Sequence, residues 1–117
     1  AGLDKMAHDM AIDFRPHRVA VIALWMGLLG TDRTHRLFAS APEKYAGMAD
    51  AVESPEFTGW VIDALARDAA LMDKSGRVWI AAELGQSYDL TDVDGRQPVS
   101  PRAFFGDTTH FGDAVVE

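Results

Sequence analysis

The fold of this chain is decided by the stretch Arg18-Val-Ala-Val-Ile-Ala-Leu-Trp-Met-Gly-Leu-Leu-Gly-Thr31. The seven residues from 19 to 25 are all apolar and do not alternate with polar ones, which is typical of a strand buried on both faces of a parallel sheet. Ligands of open α/β sheets bind just outside the carboxyl ends of such strands. Residues 26–31 are such an end, so we expect them to form the nearest wall of any binding site.

A helix is predicted before this strand. Leu3, Met6, Met10 and Phe14 fall at helical spacing with Ala7 and Ala11 on the same side, so we expect one inward-facing stripe. The rest of the circumference carries polar residues, which are Asp4, Lys5, His8, Asp9 and Asp13. Pro16 ends the helix, because proline disfavours the helical conformation in the residue before it and has no amide hydrogen.

A second helix and a second strand are predicted later in the chain. Ser54-Pro55-Glu56 combines a capping side chain, a proline suited to the first helical position and an acid favoured by the helix dipole. The apolar residues that follow predict a helix to about Arg67. Residues 73–76 are predicted to form a turn, and Val78-Trp-Ile-Ala-Ala82 a strand buried on both faces. Asp94-Gly95 signals a further turn in otherwise irregular chain.

Residues 32–53 have only a weak pattern. Leu37-Phe38 indicates a helical turn or two, whereas Ala41-Pro42, Gly47 and the scattered alanines favour a mobile or loosely packed loop. Long segments of this kind at strand ends often serve as lids or substrate loops.

The predicted elements do not complete an α/β domain. Two strands buried on both faces need flanking strands to satisfy their backbone groups and helices to cover them, yet the sequence offers two strong strands and two strong helices. We therefore expect that another polypeptide supplies the remaining strands, or that the chain is the rear part of a longer one.

Composition excludes several classes of function. A net charge of −7 without a cluster of Lys or Arg argues against nucleic-acid and anionic-membrane surfaces. The absence of cysteine excludes disulfides, thiolate nucleophiles and cysteine metal sites, and makes the cytoplasm the expected location. The longest apolar run, residues 19–29, is too short for a membrane span.

Other candidate chemistries have simpler explanations. None of the four histidines pairs with another at zinc-helix spacing, so no metal site is predicted. Asp89, Asp92 and Asp94 lack the terminal glutamate of a calcium loop and indicate a polar turn. Ser54 is explained as a helix cap rather than as a nucleophile.

Three groups of residues together resemble the second half of a short-chain dehydrogenase/reductase. They are Ala1-Gly-Leu-Asp-Lys-Met-Ala-His-Asp-Met10 with the following helix break and strand to Thr31, then Glu53-Ser-Pro-Glu-Phe-Thr-Gly59, and then Ser75-Gly76 before a strand with Thr91-Asp-Val-Asp-Gly-Arg96. The resemblance covers about residues 1–105 and lies in the combination, not in one motif. It implies the rear half of a doubly wound, Rossmann-type parallel α/β sheet, incomplete in this chain, with residues 106–117 as an irregular tail.

The resemblance assigns cofactor contacts to the end of the first strand. The family has a Pro-Gly-x-x-x-Thr turn against the nicotinamide, and here Gly27 and Thr31 match while Met26 replaces the proline. It implies that Gly27 lets the backbone approach NAD or NADP, and that the backbone of Leu29 and the hydroxyl of Thr31 hold the carboxamide. Without the family match, Gly27 and Gly30 indicate a simple strand-ending turn.

The same resemblance makes residues 32–53 the loop that closes over a small-molecule substrate. Leu37, Phe38, Tyr45 and Met48 are the candidates to line an apolar pocket, or else they pack the loop onto the core. It also implies that the catalytic serine, tyrosine and lysine and the glycine-rich loop lie outside this chain, with the lysine directly before Ala1. Residues 1–117 therefore contain no predicted catalytic residue, and no cofactor is assigned to them alone.

Two functions are compatible with these observations. The first is a portion of an NAD(P)-dependent oxidoreductase that moves a hydride to or from a small carbonyl or alcohol, supplying one wall of the nicotinamide and substrate pocket. The alternative is a non-catalytic half-domain that acts as an oligomerisation or complementation module. The expected partners are further copies in a dimer or tetramer, or a complementing N-terminal half. Met6 and Met10 are expected in the core, or, as the family resemblance implies, in a helix that packs against a second subunit.

Overall fold

The computed structural model describes residues 2–108 and 110–112. Its helices and strands are α1 (Gly2–Phe14), β1 (Ala23–Trp25), α2 (Asp32–Ser40), α3 (Pro42–Tyr45), α4 (Pro55–Arg67), α5 (Leu71–Lys74), β2 (Val78–Ile80), α6 (Ala81–Ser87) and α7 (Arg102–Phe105). Short 3₁₀ turns lie at Arg15–His17 and Ala49–Ala51. In this part of the chain no helix combines the length and the apolar character needed to cross a membrane.

β1 and β2 form a two-stranded parallel sheet, so the chain is a mixed α/β structure. Ala23 pairs with Val78, Leu24 with Trp79, and Trp25 with Ile80. Both strands are shorter than predicted, because residues 19–22 lead into β1 without pairing as a strand. The prediction that β1 is buried on both faces is wrong. Its residues are half-buried, and within the described residues a strand pairs with it along one edge only.

β2 ends two residues earlier than predicted because α6 begins directly at Ala81. Val78 and Ile80 are buried, as expected. Trp79 is half-buried, and its indole N–H donates to the carbonyl of Lys74 at 3.0 Å. The sequence prediction missed α6, since Ala81-Ala82 continues the apolar run of β2 without a break.

The main core lies between α4 and α6. Phe57, Val61 and Leu65 form the buried face of α4, and they pack against Ala81 and Leu84. A methyl group on Gly85 would lie 2.5 Å from Cζ of Phe57, so only glycine allows the two helices to approach this closely. The predicted bounds of α4, from the Ser54 cap to Arg67, are confirmed.

α1 ends where predicted, but only the alanines of its predicted inward stripe are buried. Ala7 and Ala11 are buried as expected, whereas Met6 and Met10 are 54% and 38% exposed. The prediction that the two methionines lie in the core is therefore wrong, and their alternative role in a contact with a second subunit stays a prediction. Asp4 was expected at the surface, yet it is 6% exposed and accepts a hydrogen bond from the indole of Trp25 at 3.1 Å. The small side chains of Ala7 and Ala11 let the helix lie close to β1. The indole N–H of Trp25 supplies the hydrogen bond that the buried carboxyl group of Asp4 needs.

Residues 32–53 are largely helical, not an open loop. They contain α2, α3 and the 3₁₀ turn at Ala49–Ala51. Residues 73–76 are partly helical too, because α5 extends to Lys74. The turn at Asp94-Gly95 is confirmed, and Gly95 has a φ of +82°. Beyond α7, residues 106–108 and 110–112 have no helix or strand, and the rest of the expected tail lies outside the described residues.

Candidate functional site

Residues 26–31 lie at the carboxyl end of β1 and are fixed by the main chain of Glu53. Leu29 and Glu53 form an isolated parallel bridge. The N–H of Glu53 donates to the carbonyl of Leu28 at 2.8 Å, and the N–H of Gly30 donates to the carbonyl of Glu53 at 2.7 Å. Thr31 closes the turn by donating its N–H to the carbonyl of Leu29 at 2.9 Å. The segment is therefore held to Glu53 by main-chain hydrogen bonds.

This pairing with Glu53 does not use the N–H of Leu29. The bridge uses the carbonyl of Leu28 and the N–H of Gly30, so the amide of Leu29 points away from Glu53. The structure gives this N–H no acceptor among the described residues. A main-chain donor is thus available at the predicted position.

The side chain of Glu53 lies beneath the same turn. Glu53 is 2% exposed, and its Oε2 accepts a hydrogen bond from the N–H of Gly27 at 3.2 Å. A methyl group on Gly27 would lie 2.6 Å from Oε1 of Glu53. The structure therefore supplies a reason for glycine at position 27 that the sequence did not predict, namely the space that the carboxyl group occupies.

Burial raises the pKa of Glu53 above its ordinary value. The hydrogen bond from Gly27 opposes this shift in pKa, and the nearby carboxylate of Asp92 adds to it. Glu53 therefore retains its proton to a higher pH than an exposed glutamate does.

Asp92 connects a later turn to the start of α4. It is 8% exposed and accepts hydrogen bonds from the N–H of Ser54 at 2.8 Å, from the hydroxyl of Ser54 and from the N–H of Val93 at 2.6 Å. The N–H of Asp92 donates to the carbonyl of Arg96 at 2.8 Å, which closes the predicted polar turn. Because Ser54 follows Glu53, Asp92 also holds the segment that carries Glu53.

Thr31, assigned to the cofactor by resemblance, also caps α2. Its Oγ1 accepts from the N–H of Thr34 at 3.3 Å. Thr31 is exposed, so its hydroxyl remains accessible from solvent. Met26, at the other end of this segment, is 45% exposed.

The four predicted substrate-loop residues are only partly brought together. The rings of Phe38 and Tyr45 stack with centroids 5.1 Å apart, which joins α2 to α3. Leu37 and Met48 are each 48% exposed. The roles of all eight predicted site residues stay predictions.

A groove of about 810 Å³ runs along α1 and β1 and is lined as far as Trp25, the last residue before the turn. Leu3, Met6 and Met10 line its helical side, and residues 21–25 line its strand side. Within the described ranges, no three His, Asp or Glu side chains cluster closely enough to hold a metal ion.

Glu53 and Asp92 are the residues that the sequence prediction missed. One signal for Glu53 was present, because the position before a helix cap commonly carries an apolar residue and here carries a charge. Asp92 offered no local signal for its contact, since Ser54 lies 38 residues away.

Comparison with known proteins identifies the family. No model of a protein family matches the chain. The mouse protein Dehydrogenase/reductase SDR family member 1 (Mus musculus) is 35% identical over 103 residues, and the human protein of the same name (Homo sapiens) is 31% identical over 103 residues. Each match covers 82% of this chain and 33% of the relative, so the chain spans about a third of the length of these curated relatives. The predicted resemblance is confirmed, and the chain belongs by homology over most of its length to the short-chain dehydrogenase/reductase family.

Proposed function

We propose that this chain forms one wall of the nicotinamide and substrate pocket of an NAD(P)-dependent oxidoreductase. The reaction is transfer of a hydride to or from a small carbonyl or alcohol substrate. The observation that carries the proposal is the turn at residues 26–31, which ends a parallel strand in a chain homologous to dehydrogenases/reductases.

The turn has the groups that a carboxamide needs. The N–H of Leu29 is a donor without an acceptor among the described residues, and it suits the carboxamide oxygen. The exposed hydroxyl of Thr31 can accept or donate beside it. These features fit the nicotinamide end of the cofactor.

The nicotinamide, when bound, supplies or accepts the hydride. The residues of this chain orient it and limit the access of water. The main chain of Leu29 and the hydroxyl of Thr31 set the ring orientation, and the stacked rings of Phe38 and Tyr45 offer an apolar surface to the substrate. Leu37 and Met48, each half-exposed, become covered when substrate is present.

The sheet is completed in this proposal by the part of the protein that this chain does not span. β1 pairs with β2 on one side, and the groove along α1 and β1 lies on the other. The occupant is a parallel strand from the remaining length, because the curated relatives are about three times as long. The complete sheet is then doubly wound, and the catalytic residues come from that same remainder.

Cofactor titration of the protein at its natural length tests this function. Binding of NADH and NADPH is followed by fluorescence, and turnover with a panel of small carbonyl compounds by loss of reduced-nicotinamide absorbance. Thr31→Ala should weaken binding of the preferred cofactor about five-fold, as expected for one lost hydrogen bond, whereas Thr31→Ser should not. Thr91→Ala, at an exposed position, is the matched control. A protein that binds neither cofactor would exclude the enzyme function.

A second candidate function is favoured by the same unpaired edge of β1. In this alternative the edge and the exposed Leu3, Met6 and Met10 contact a second copy of the chain, which acts as a non-catalytic oligomerisation module. Sedimentation equilibrium then gives a dimer or tetramer that binds no nicotinamide cofactor. A well-folded monomer would contradict it.

A further inference from the structure

Glu53 contacts the turn at residues 26–31 through its main chain and its side chain. Its N–H and carbonyl hold Leu28 and Gly30, and its carboxyl group accepts the N–H of Gly27 at 3.2 Å. The main-chain bonds hold the middle of the turn. The side chain controls its start, where the chain leaves β1.

We propose that Glu53 is a positioning residue for the nicotinamide ring, which holds Gly27 so that the N–H of Leu29 and the hydroxyl of Thr31 stay aligned with the carboxamide. Glu53 does not touch the cofactor in this arrangement, because its carboxyl group lies beneath the turn and is 2% exposed. This inference rests on the proposed function of the turn.

A buried carboxyl group is an unfavourable way to fill space, since an apolar side chain of similar size would lose less hydration. Asp92, the neighbouring buried acid, is satisfied by both polar groups of Ser54 and by the N–H of Val93. Glu53, by contrast, receives one side-chain hydrogen bond within the described residues, and that bond comes from Gly27. The contact with the turn is therefore the specific contribution of this carboxyl group.

Two substitutions separate the hydrogen bond from packing. Glu53→Met fills a similar volume and cannot accept the N–H of Gly27, whereas Glu53→Gln retains an acceptor oxygen of the same reach. Glu56→Met changes an exposed acid three residues later and is the matched control. All are made in the protein at its natural length, and folding is checked by circular dichroism.

The decisive comparison uses two probes for each protein. NADH or NADPH carries the nicotinamide ring, and ADP-ribose or its 2′-phosphate lacks it. We expect Glu53→Met to raise the dissociation constant of the reduced dinucleotide about five-fold and to change that of the ADP-ribose probe less than about two-fold. Glu53→Gln and Glu56→Met should bind both probes as the unmodified protein does.

The binding of the two probes distinguishes failure of the positioning role from failure of the proposed function. Equal weakening of both probes in Glu53→Met, or no change in either, overturns the positioning role while leaving the proposed function intact. Weak dinucleotide binding in Glu53→Gln, equal to that of Glu53→Met, also overturns it, because the acceptor would then be irrelevant. Failure of the unmodified protein to bind either reduced dinucleotide overturns the proposed function and this inference together.

Discussion

Gly27 and Glu53 should be energetically coupled, and a double-mutant cycle measures the coupling. A Cβ atom at position 27 would lie 2.6 Å from Oε1 and 2.9 Å from Cδ of Glu53, closer than such atoms can approach. Gly27→Ala must therefore displace the buried carboxyl group. The main chain of Glu53 is held on both sides by hydrogen bonds, so the side chain has little freedom to move away.

The expected magnitude follows from these contacts. Displacement breaks the hydrogen bond from Gly27, worth about 1 kcal/mol, and overpacks the site by about 1–3 kcal/mol. Gly27 is not among the glycines with a positive φ, so alanine adds no backbone strain there. Gly27→Ala alone should thus lower the free energy of unfolding by about 2–4 kcal/mol. In a Glu53→Ala background the methyl group enters vacated space, and the same change should cost less than about 1 kcal/mol.

Urea unfolding of the four proteins, followed by tryptophan fluorescence and circular dichroism, gives the coupling energy. We expect a coupling of about 1–3 kcal/mol, in the range found for residues in direct contact. An equal cost of Gly27→Ala in both backgrounds would show that the carboxyl group of Glu53 does not lie against Gly27. It would refute the packing on which the positioning role depends.

Three further predictions follow from the buried and paired acids. Because the pKa of Glu53 is raised by burial, its neutral form stabilises the folded state at low pH and this contribution is lost as pH rises through the raised pKa. Glu53→Gln should therefore gain stability relative to the unmodified protein with rising pH, as measured by urea unfolding at several pH values. The hydroxyl of Tyr88 donates a hydrogen bond to Asp68 at 2.6 Å, and this bond is the largest of the contributions that lower the pKa of Asp68 to about 2. The charged form of Asp68 therefore stabilises the folded state, and this contribution is lost as pH falls from the ordinary aspartate pKa towards 2. Tyr88→Phe should raise the pKa of Asp68 towards its ordinary value in an NMR titration, and an unchanged pKa would contradict the contact. Asp92→Ala leaves the N–H and hydroxyl of Ser54 without their acceptor and should lower the free energy of unfolding by about 2–4 kcal/mol, whereas Asp94→Ala, in the same turn but exposed, should cost much less.

Local signals in the sequence predicted α1 and α4 well. Pro16 marks the end of α1, and the Ser54-Pro55 pair marks the start of α4, where the hydroxyl of Ser54 accepts the N–H of Phe57 at 3.2 Å. Such signals work because capping and proline effects act within a few residues. The apolar runs likewise predicted both strands and a parallel sheet, but not that the two strands pair directly with each other.

α2, of which the sequence predicted only a turn or two around Leu37-Phe38, and α6, which it did not predict, lack such local signals. α2 is strongly polar, with residues such as Asp32, Arg33 and Arg36, so its pattern resembles that of a loop. The start of α2 is nevertheless marked in the sequence, because Thr31 has a side chain suited to a helix cap. The family resemblance assigns Thr31 to the cofactor instead. α6 follows β2 at Ala81 without a turn, and alanine is compatible with both structures. The burial of Asp4 depended on Trp25, 21 residues later, and could not be predicted from helical spacing alone.

The three-dimensional contacts explain why the family resemblance was strong only as a combination of motifs. The segments around residues 26–31, 53–59 and 91–96 are far apart in sequence, yet Gly27 contacts Glu53 and Ser54 contacts Asp92. Each segment alone has the sequence of an ordinary turn or helix start. The hydrogen bonds that join Gly27 to Glu53 and Ser54 to Asp92 run between different segments, so one segment alone does not show them. Together they form one hydrogen-bonded unit at the carboxyl end of β1. Its acids, Glu53 and Asp92, accept hydrogen bonds from the main chain of Gly27 and Ser54, whereas the amide of Leu29 has no acceptor among the described residues.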